Sequence, residues 1–171
     1  MNRAVLVYLC ILAGAALWCG LILANPWLVH SGGGMQFWGE TLYDGFHRVC
    51  HQLDGRSLHL FGTPLPVCMR CSAIYFAFLL GTALYPLFRS VRHPHPPSRT
   101  LLVLAVMPML IDVVLGITGI SDVTAPTRLL TGALFGLLIP FVVLPVALGA
   151  VHERLARPNI VVHQPKGSVD A

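Results

Sequence analysis

Four long apolar segments, separated by shorter polar ones, dominate the hydrophobic pattern of this chain. They are residues 4–24, 72–88, 101–120 and 129–151. A helix needs about 20 apolar residues to cross a hydrocarbon core roughly 30 Å thick. The second segment is short for this purpose unless its first turn projects above the bilayer. The pattern therefore predicts four transmembrane helices.

Local signals add detail to these helices. Asn25-Pro26-Trp27 combines a helix breaker with an interfacial aromatic residue, so we expect the first helix to stop near residue 24. Its apolar run is longer than the about 7–15 residues typical of a signal peptide, so we expect the helix to be retained. Gly132 and Gly136, four residues apart, predict a close helix–helix contact.

The polar region between the first two helices, residues 35–71, has a pattern of its own. Apolar residues recur there at spacings of three and four, namely Met35, Trp38, Leu42, Phe46 and Val49. This spacing predicts an amphipathic helix on the membrane surface or over the bundle. Asp54-Gly55 signals a tight turn, residues 56–60 a short extended arm, and Gly62-Thr63-Pro64 a return of the chain.

Composition agrees with a membrane protein. The 171 residues are 56% hydrophobic and 11% charged, whereas soluble domains carry about 25% charged residues. We therefore predict an all-α integral membrane fold, with one domain over residues 1–157 and a disordered tail over 158–171. Eleven Lys and Arg residues, scattered along the chain, are too few for a nucleic-acid surface. The lipid bilayer is the expected partner.

The basic residues predict the orientation. Seven of them fall on one side of a four-helix arrangement, which the positive-inside rule assigns to the cytoplasm: Arg3, Arg89, Arg92, Arg99, Arg154, Arg157 and Lys166. Four fall on the other side: Arg48, Arg56, Arg70 and Arg128. We expect a plasma-membrane protein of a bacterium or archaeon with both termini in the cytoplasm and the 35–71 loop outside.

That loop contains a segment rich in thiols and imidazoles, HRVCHQLDGRSLHLFGTPLPVCMRC, residues 47–71. His47 and Cys50 are one helical turn apart, and Cys68 and Cys71 form a CxxC pair. Two such pairs match a tetrahedral zinc site, with His51 as a substitute imidazole. The predicted ligands are His47 or His51 together with the three cysteines. Four protein ligands make a closed structural site, whereas an open position would admit water or substrate.

Two other interpretations of the same cysteines remain open. Ser72 is the predicted N-cap of the second helix, so Cys71 lies at a helix N-terminus beside Arg70, where a thiolate is favoured. That placement fits a membrane thiol–disulfide oxidoreductase that uses the CxxC pair with a quinone. The third interpretation is a plain disulfide from Cys50 to Cys68 or Cys71, stabilising the fold by about 3 kcal/mol.

Three stretches, CHQLDGRS, GTPLPVCMRCSAIY and TRLLTGALFG, resemble an uncharacterised prokaryotic family of small predicted membrane proteins, DUF2085. The similarity covers roughly residues 46–148. It implies a multi-pass membrane fold and a shared site at Cys50, His51, Gln52, Arg56, Ser57, Cys68, Arg70, Cys71 and Tyr75. Within that site we assign Gln52, Arg56 and Ser57 to cofactor binding. The family label implies no reaction.

Asp112 is an ionisable residue inside the third apolar segment, which makes it a functional candidate. We expect it roughly 10–12 Å below the outer end of its helix, within reach of Arg128. The pair is either structural or the floor of an outward-facing pocket with Arg56, Arg70 and Arg128 around its mouth. Such a pocket suits an anionic lipid or a small anionic substrate, so a binding or transport module is a further alternative. The candidate catalytic residues are Asp112, Arg128, Arg70 and Tyr75, and whether the protein is an enzyme stays open.

Overall fold

The computed structural model describes residues 3–91, 99–119 and 124–156, with side chains as far as residue 150. Its elements are α1 (Arg3–Ser31), α2 (Gly33–Phe46), β1 (Ser57–Leu60), β2 (Thr63–Cys68), α3 (Met69–Phe88), α4 (Arg99–Thr118), α5 (Ala125–Leu138) and α6 (Pro140–Ala156). Four stretches are long and apolar enough to cross a membrane: α1, α3, α4 and the α5–α6 stretch to Ala150. The predicted helical fold with four candidate spans is therefore confirmed. The tail predicted over 158–171 lies outside the described residues.

Helices α3 and α5 form the closest pair in the bundle. A Cβ atom added to Gly132 would lie 2.7 Å from the carbonyl oxygen of Arg70, and one added to Gly136 would collide with the backbone of Ile74. Only glycine leaves room for this approach, so the two glycines are a contact surface for α3, as their spacing predicts. The contact also holds the first turn of α3 against the middle of α5.

Helix α1 continues for about two turns beyond the stop that the sequence predicts. It passes through Pro26 and ends at Ser31. Proline costs a helix one backbone hydrogen bond, but here the turn is covered by α2: Pro26 is fully buried, and the Asn25 amide donates a 2.7 Å hydrogen bond to the carbonyl of Gly39. The prediction of an end near residue 24 was wrong because tertiary packing outweighs the local breaker signal.

Helix α2 runs back along the second half of α1 rather than lying flat over the bundle. A Cβ atom added to Gly39 would collide with Val29, while Phe46 packs edge-on against Trp18 with ring centroids 4.9 Å apart. The predicted helix is confirmed, although it ends at Phe46 and leaves Val49 outside it. Only part of the predicted apolar face is covered, since Trp38 is 65% exposed and Phe46 is 3% exposed.

Strands β1 and β2 pair antiparallel as a hairpin after α2. The turn consists of Phe61 and Gly62, whose φ angles of 54° and 76° are both positive, as a two-residue type I′ turn requires. The Phe61 ring stacks on His30 at the end of α1, with centroids 5.6 Å apart. The extended arm predicted over 56–60 is thus half of a hairpin whose tip is held by α1.

The fourth apolar segment is broken near its middle. Helix α5 begins at Ala125, four residues earlier than predicted, and ends at Leu138, and α6 begins at Pro140. Proline has no amide hydrogen to continue the backbone ladder, which accounts for the break at Ile139. The predicted single helix is therefore two consecutive helices along one candidate span.

Candidate metal centre

Three cysteines from three different elements meet at one end of the bundle. Cys50 follows α2, Cys68 ends β2, and Cys71 lies in the first turn of α3. Their three sulfur atoms all lie within 4.8 Å of one another. All five cysteines of the chain are free thiols in this structure. The sequence predicts that Cys50 and the CxxC pair come together, and the structure brings these three sulfur atoms together.

The backbone around the cluster fixes the cysteines in place. The hairpin register sets Ser57 opposite Cys68, and the amide of Cys68 donates to the sulfur of Cys50 at 3.2 Å. Helix α3 begins at Met69, and Cys68 is its N-cap residue. The prediction that Ser72 caps this helix was wrong because β2 leads directly into it, so Cys71 lies within the first turn of the helix rather than in front of it.

Gln52 ties the segment after Cys50 to its surroundings. Its side-chain amide donates to the carbonyl of Tyr43 at 2.6 Å and to the carbonyl of Pro66 at 2.9 Å. Its side-chain oxygen lies 3.2 Å from Nδ1 of His47. The backbone of Gln52 has a φ of 49°, a conformation that costs free energy for any residue but glycine. Gln52 is therefore a cross-link between the end of α2 and the hairpin.

The thiol cluster changes the acidity of Cys68. A hydrogen bond from the Cys71 thiol is the main reason why the pKa of the Cys68 thiol lies well below its usual value, and burial opposes this effect in part. Backbone amides of Cys71 and Arg70 add to the lowering. Hydrogen bonds to the charged form favour that form. Cys68 is therefore predisposed to be a thiolate, the state that binds metals and acts as a nucleophile.

The imidazoles stand apart from the three sulfurs. His47 faces Gln52, and His59 faces Asp54 with its Nε2 atom 3.1 Å from the carboxylate. His51 is exposed and lines the cavity next to the cluster. Within the described residues, the group of potential ligands therefore consists of the three cysteines. Of the two histidines predicted as ligands, His51 is the one that shares a cavity with them.

A cavity of about 380 Å³ opens beside the cluster. Its lining contains all three cysteines, His51 and Gln52, together with three arginines: Arg56, Arg70 and Arg128. Arg56 is exposed, whereas Arg70 and Arg128 are partly buried. These are the three arginines that the sequence predicts around the mouth of a pocket.

Asp112 forms its ion pair with Arg70 instead of Arg128. The side chains are 8% and 18% exposed, so the pair is largely shielded from water. Arg70 lies between Cys68 and Cys71 and reaches from α3 to α4, two helices that both pack on α5. The predicted partner was wrong because α4 presents Asp112 to the first turn of α3. The pair thereby connects the CxxC turn to a candidate membrane span.

The other two predicted site residues lie close to the cluster without lining the cavity. Tyr75 packs against the hydrophobic cluster that contains Cys50, and its ring centroid lies 5.8 Å from that of Trp18. Ser57 is buried, and its hydroxyl donates to the carbonyl of Leu53 at 3.2 Å. These contacts give Ser57 a part in holding the turn before the hairpin.

A second cavity, which the sequence analysis missed, lies deeper in the bundle. It is an open apolar groove of about 430 Å³ between α1, α3 and α5, lined in part by Trp18, Tyr75, Phe78 and Phe135. Its lining residues are ordinary apolar residues on three separate helices. Their spacing along the chain resembles that of any buried helix face, so no sequence signal distinguishes them.

Comparison with known proteins places this chain in a family. A family model described as "Predicted membrane protein (DUF2085)" matches residues 50–142. The chain belongs to the DUF2085 family. The matched region begins at Cys50 and contains the whole cysteine cluster, the hairpin and the Arg70–Asp112 pair, while α1 and α2 precede it. The family description confirms the membrane class and states no activity.

Similarity to one curated protein extends beyond the DUF2085 region. The uncharacterized protein MJ1492 of Methanocaldococcus jannaschii is 27% identical over 150 residues, which cover 86% of this chain and 96% of that protein. The alignment therefore spans most of both chains. No solved structure matches this chain.

Proposed function

We propose that this protein carries a zinc centre, built by Cys50, Cys68 and Cys71, in a cavity that receives an anionic group outside the plasma membrane. The observation that carries the proposal is the convergence of the three sulfurs within 4.8 Å. A disulfide would use two of them and leave the third without a function. A metal ion uses all three.

The donor set fits zinc. Zinc bound by thiolates at about 2.3 Å in tetrahedral geometry requires sulfur atoms about 3.8 Å apart. The three sulfur atoms already lie within 4.8 Å of one another. Cys68 is already favoured as a thiolate. His51 is the nearest candidate for a fourth ligand, since it lines the same cavity. If that position is open instead, zinc acts there as a Lewis acid toward an oxygen ligand.

The arginines give the cavity its chemical preference. Arg56 and Arg128 line it, and their planar guanidinium groups bind carboxylate or phosphate oxygens in pairs. The charge of Arg70 is met by Asp112, so this arginine serves to hold the CxxC turn. Among the predicted catalytic residues, we assign anion binding to Arg128 because it lines the cavity, and positioning roles to Arg70 and Asp112 because they pair with each other, while Tyr75 supports the cluster.

Charge supports a placement outside the cytoplasm. If the chain crosses the membrane four times, the sequence assigns seven of its eleven basic residues to the side opposite the cluster. Basic residues favour the cytoplasmic side. An impermeant maleimide added to intact cells should therefore label Cys50, Cys68 or Cys71 once the metal has been removed by a chelator.

The metal content of the purified full-length protein tests the proposal. We expect about one zinc ion per chain, as for a site of three or four protein ligands, and loss of that zinc in the single variants Cys50→Ser, Cys68→Ser and Cys71→Ser. Cys10→Ser is the matched control, because Cys10 is exposed on α1 and lies outside the cluster. Zinc-free protein with two cysteines of the cluster joined in a disulfide would overturn the proposal.

A thiol–disulfide oxidoreductase is the second candidate function. Two observations favour it, the lowered pKa of Cys68 beside Cys71 and the apolar groove that begins at Tyr75 and Cys19. In that reaction the two thiols lose two electrons and two protons as their disulfide forms, and a quinone gains them and becomes a quinol. Reduced protein mixed with a short-chain quinone would then yield one quinol per Cys68–Cys71 disulfide, and Cys71→Ser would yield none.

A further inference from the structure

The arginine-lined cavity and the apolar groove follow the same face of α3. Arg70 and Cys71 line the cavity, and Ile74, Tyr75 and Phe78 line the groove. Residues four apart in a helix lie one above the other, so 70, 74 and 78 form one row and 71 and 75 a second. The groove therefore begins one turn deeper in the bundle than the cavity.

Helix α5 shows the same relation. Arg128 lines the cavity, and Phe135 lines the groove together with Ile139, the residue just after the helix. A spacing of seven residues corresponds to about two helical turns, so Arg128 and Phe135 share one face of α5. With a rise of 1.5 Å per residue, Phe135 lies about 10 Å below Arg128 along the helix axis. Two neighbouring helices thus carry a cationic cavity at one end and an apolar groove beneath it.

We propose that the cavity and the groove are two parts of one binding site for an anionic phospholipid. Its phosphate binds in the cavity at Arg56 and Arg128, and one of its acyl chains lies in the groove between α1, α3 and α5. This inference rests on the proposed function in one respect, that the cavity receives an anion. It goes further because it names the class of ligand and adds the groove to the site.

Charge and shape favour this occupant. Guanidinium groups pair with phosphate oxygens, whereas a quinone head is neutral and gains little from two arginines. A soluble phosphate would use the cavity alone and would leave the groove without a role. The groove is open along α1 at Gly14, where a side chain added to the glycine would meet nothing within 4 Å. A flexible chain can enter there from the surrounding bilayer.

The same glycine provides a test with a matched control. Gly14→Leu places a side chain in the groove, while Gly20→Leu adds the same side chain on the same helix outside the lining. Gly20 also has open space around it. For the cavity, Arg56→Gln removes a charge at the proposed phosphate position. Its control is Arg48→Gln, because Arg48 is an exposed arginine that does not line the cavity.

The experiment uses full-length protein in phosphatidylcholine vesicles that contain phosphatidic acid with a photoreactive diazirine in one acyl chain. Labelled residues are mapped by mass spectrometry. We expect labelling concentrated on Phe78 and Phe135, competed by unlabelled phosphatidic acid and not by added phosphatidylcholine. Gly14→Leu and Arg56→Gln should lose this labelling, and Gly20→Leu and Arg48→Gln should keep it.

The zinc content of each sample is measured at the same time, so that the two proposals are judged separately. Selective labelling in zinc-free protein would support the lipid site and overturn the metal centre. Zinc-loaded protein without selective labelling would support the metal centre and overturn the lipid site. Labelling spread over all outward-facing helix surfaces would overturn the lipid site. Competition by a short-chain quinone or by glycerol phosphate, at the concentration at which phosphatidic acid competes, would overturn it as well.

Discussion

The Arg70–Asp112 pair gives the sharpest prediction for stability. Removing one partner of a buried ion pair leaves the other charge uncompensated and costs about 3–5 kcal/mol. Because Arg70 keeps 18% of its side-chain surface exposed, we expect the lower end of that range, about 3 kcal/mol, for Asp112→Leu. Since Arg70 lies between Cys68 and Cys71, the same change should also weaken zinc retention. Unfolding by SDS titration of detergent-solubilised protein measures the first effect, and zinc release to a chelator measures the second.

Two controls define what this result means. Asp54 and His59 form an exposed pair, with 76% and 45% of their side chains accessible, so Asp54→Asn should cost less than about 1 kcal/mol. Replacing both buried partners, Arg70→Met with Asp112→Leu, should recover most of the lost stability, because an apolar pair of similar size leaves no buried charge. If Asp112→Leu costs no more than Asp54→Asn, the pair is solvated in the membrane protein and our account of α4 attachment is wrong.

Two further changes test the packing and the cross-link around the cluster. Gly132→Ala should destabilise the protein by about 2 kcal/mol and lower its zinc content, because the new Cβ would lie 2.7 Å from the Arg70 carbonyl oxygen. The control Gly20→Ala should have little effect, since the new Cβ would meet nothing within 4 Å. Equal unfolding midpoints for the two variants would contradict this prediction. Gln52→Ala should lower the free energy of unfolding by about 2 kcal/mol, because the hydrogen bonds to Tyr43 and Pro66 are lost. Gln52→Gly loses the same bonds but should cost about 1 kcal/mol less, because glycine adopts a φ of 49° without strain. The same SDS titration checks both, and an alanine variant as stable as the parent would show that Gln52 does not join α2 to the hairpin.

The parts of the fold that follow from apolar length could be predicted from the sequence. A segment of about 20 apolar residues has few alternatives to a membrane helix, so the four candidate spans were recognisable from the pattern alone. The glycine turn at Gly62 and the arm before it also identified the hairpin region. Errors arose where a local signal competed with packing that the sequence does not display. Pro26 reads as a helix end, yet contact with α2 keeps it within α1.

The candidate site was predictable to the extent that chain spacing decides it. A CxxC pair places its sulfurs close together by geometry, and a hairpin brings Cys50 to them. The position of each imidazole relative to the sulfurs depends on side-chain direction, and the His47 side chain faces Gln52 instead. Which arginine reaches Asp112 depends on the lateral order of the helices, because Arg70 and Arg128 are on adjacent helices and both have long side chains. Charge patterns along one sequence do not contain that order.

The hairpin between Cys50 and Cys68 also has a consequence for biosynthesis. Cys50 precedes both strands in the chain, whereas Cys68 ends the second strand, so the two residues meet only when β1 and β2 have paired. Closure of the strand pair is therefore needed to bring Cys50 to the CxxC pair. Until the strands close during synthesis, we expect Cys50 to be an unshielded thiol that is open to oxidation.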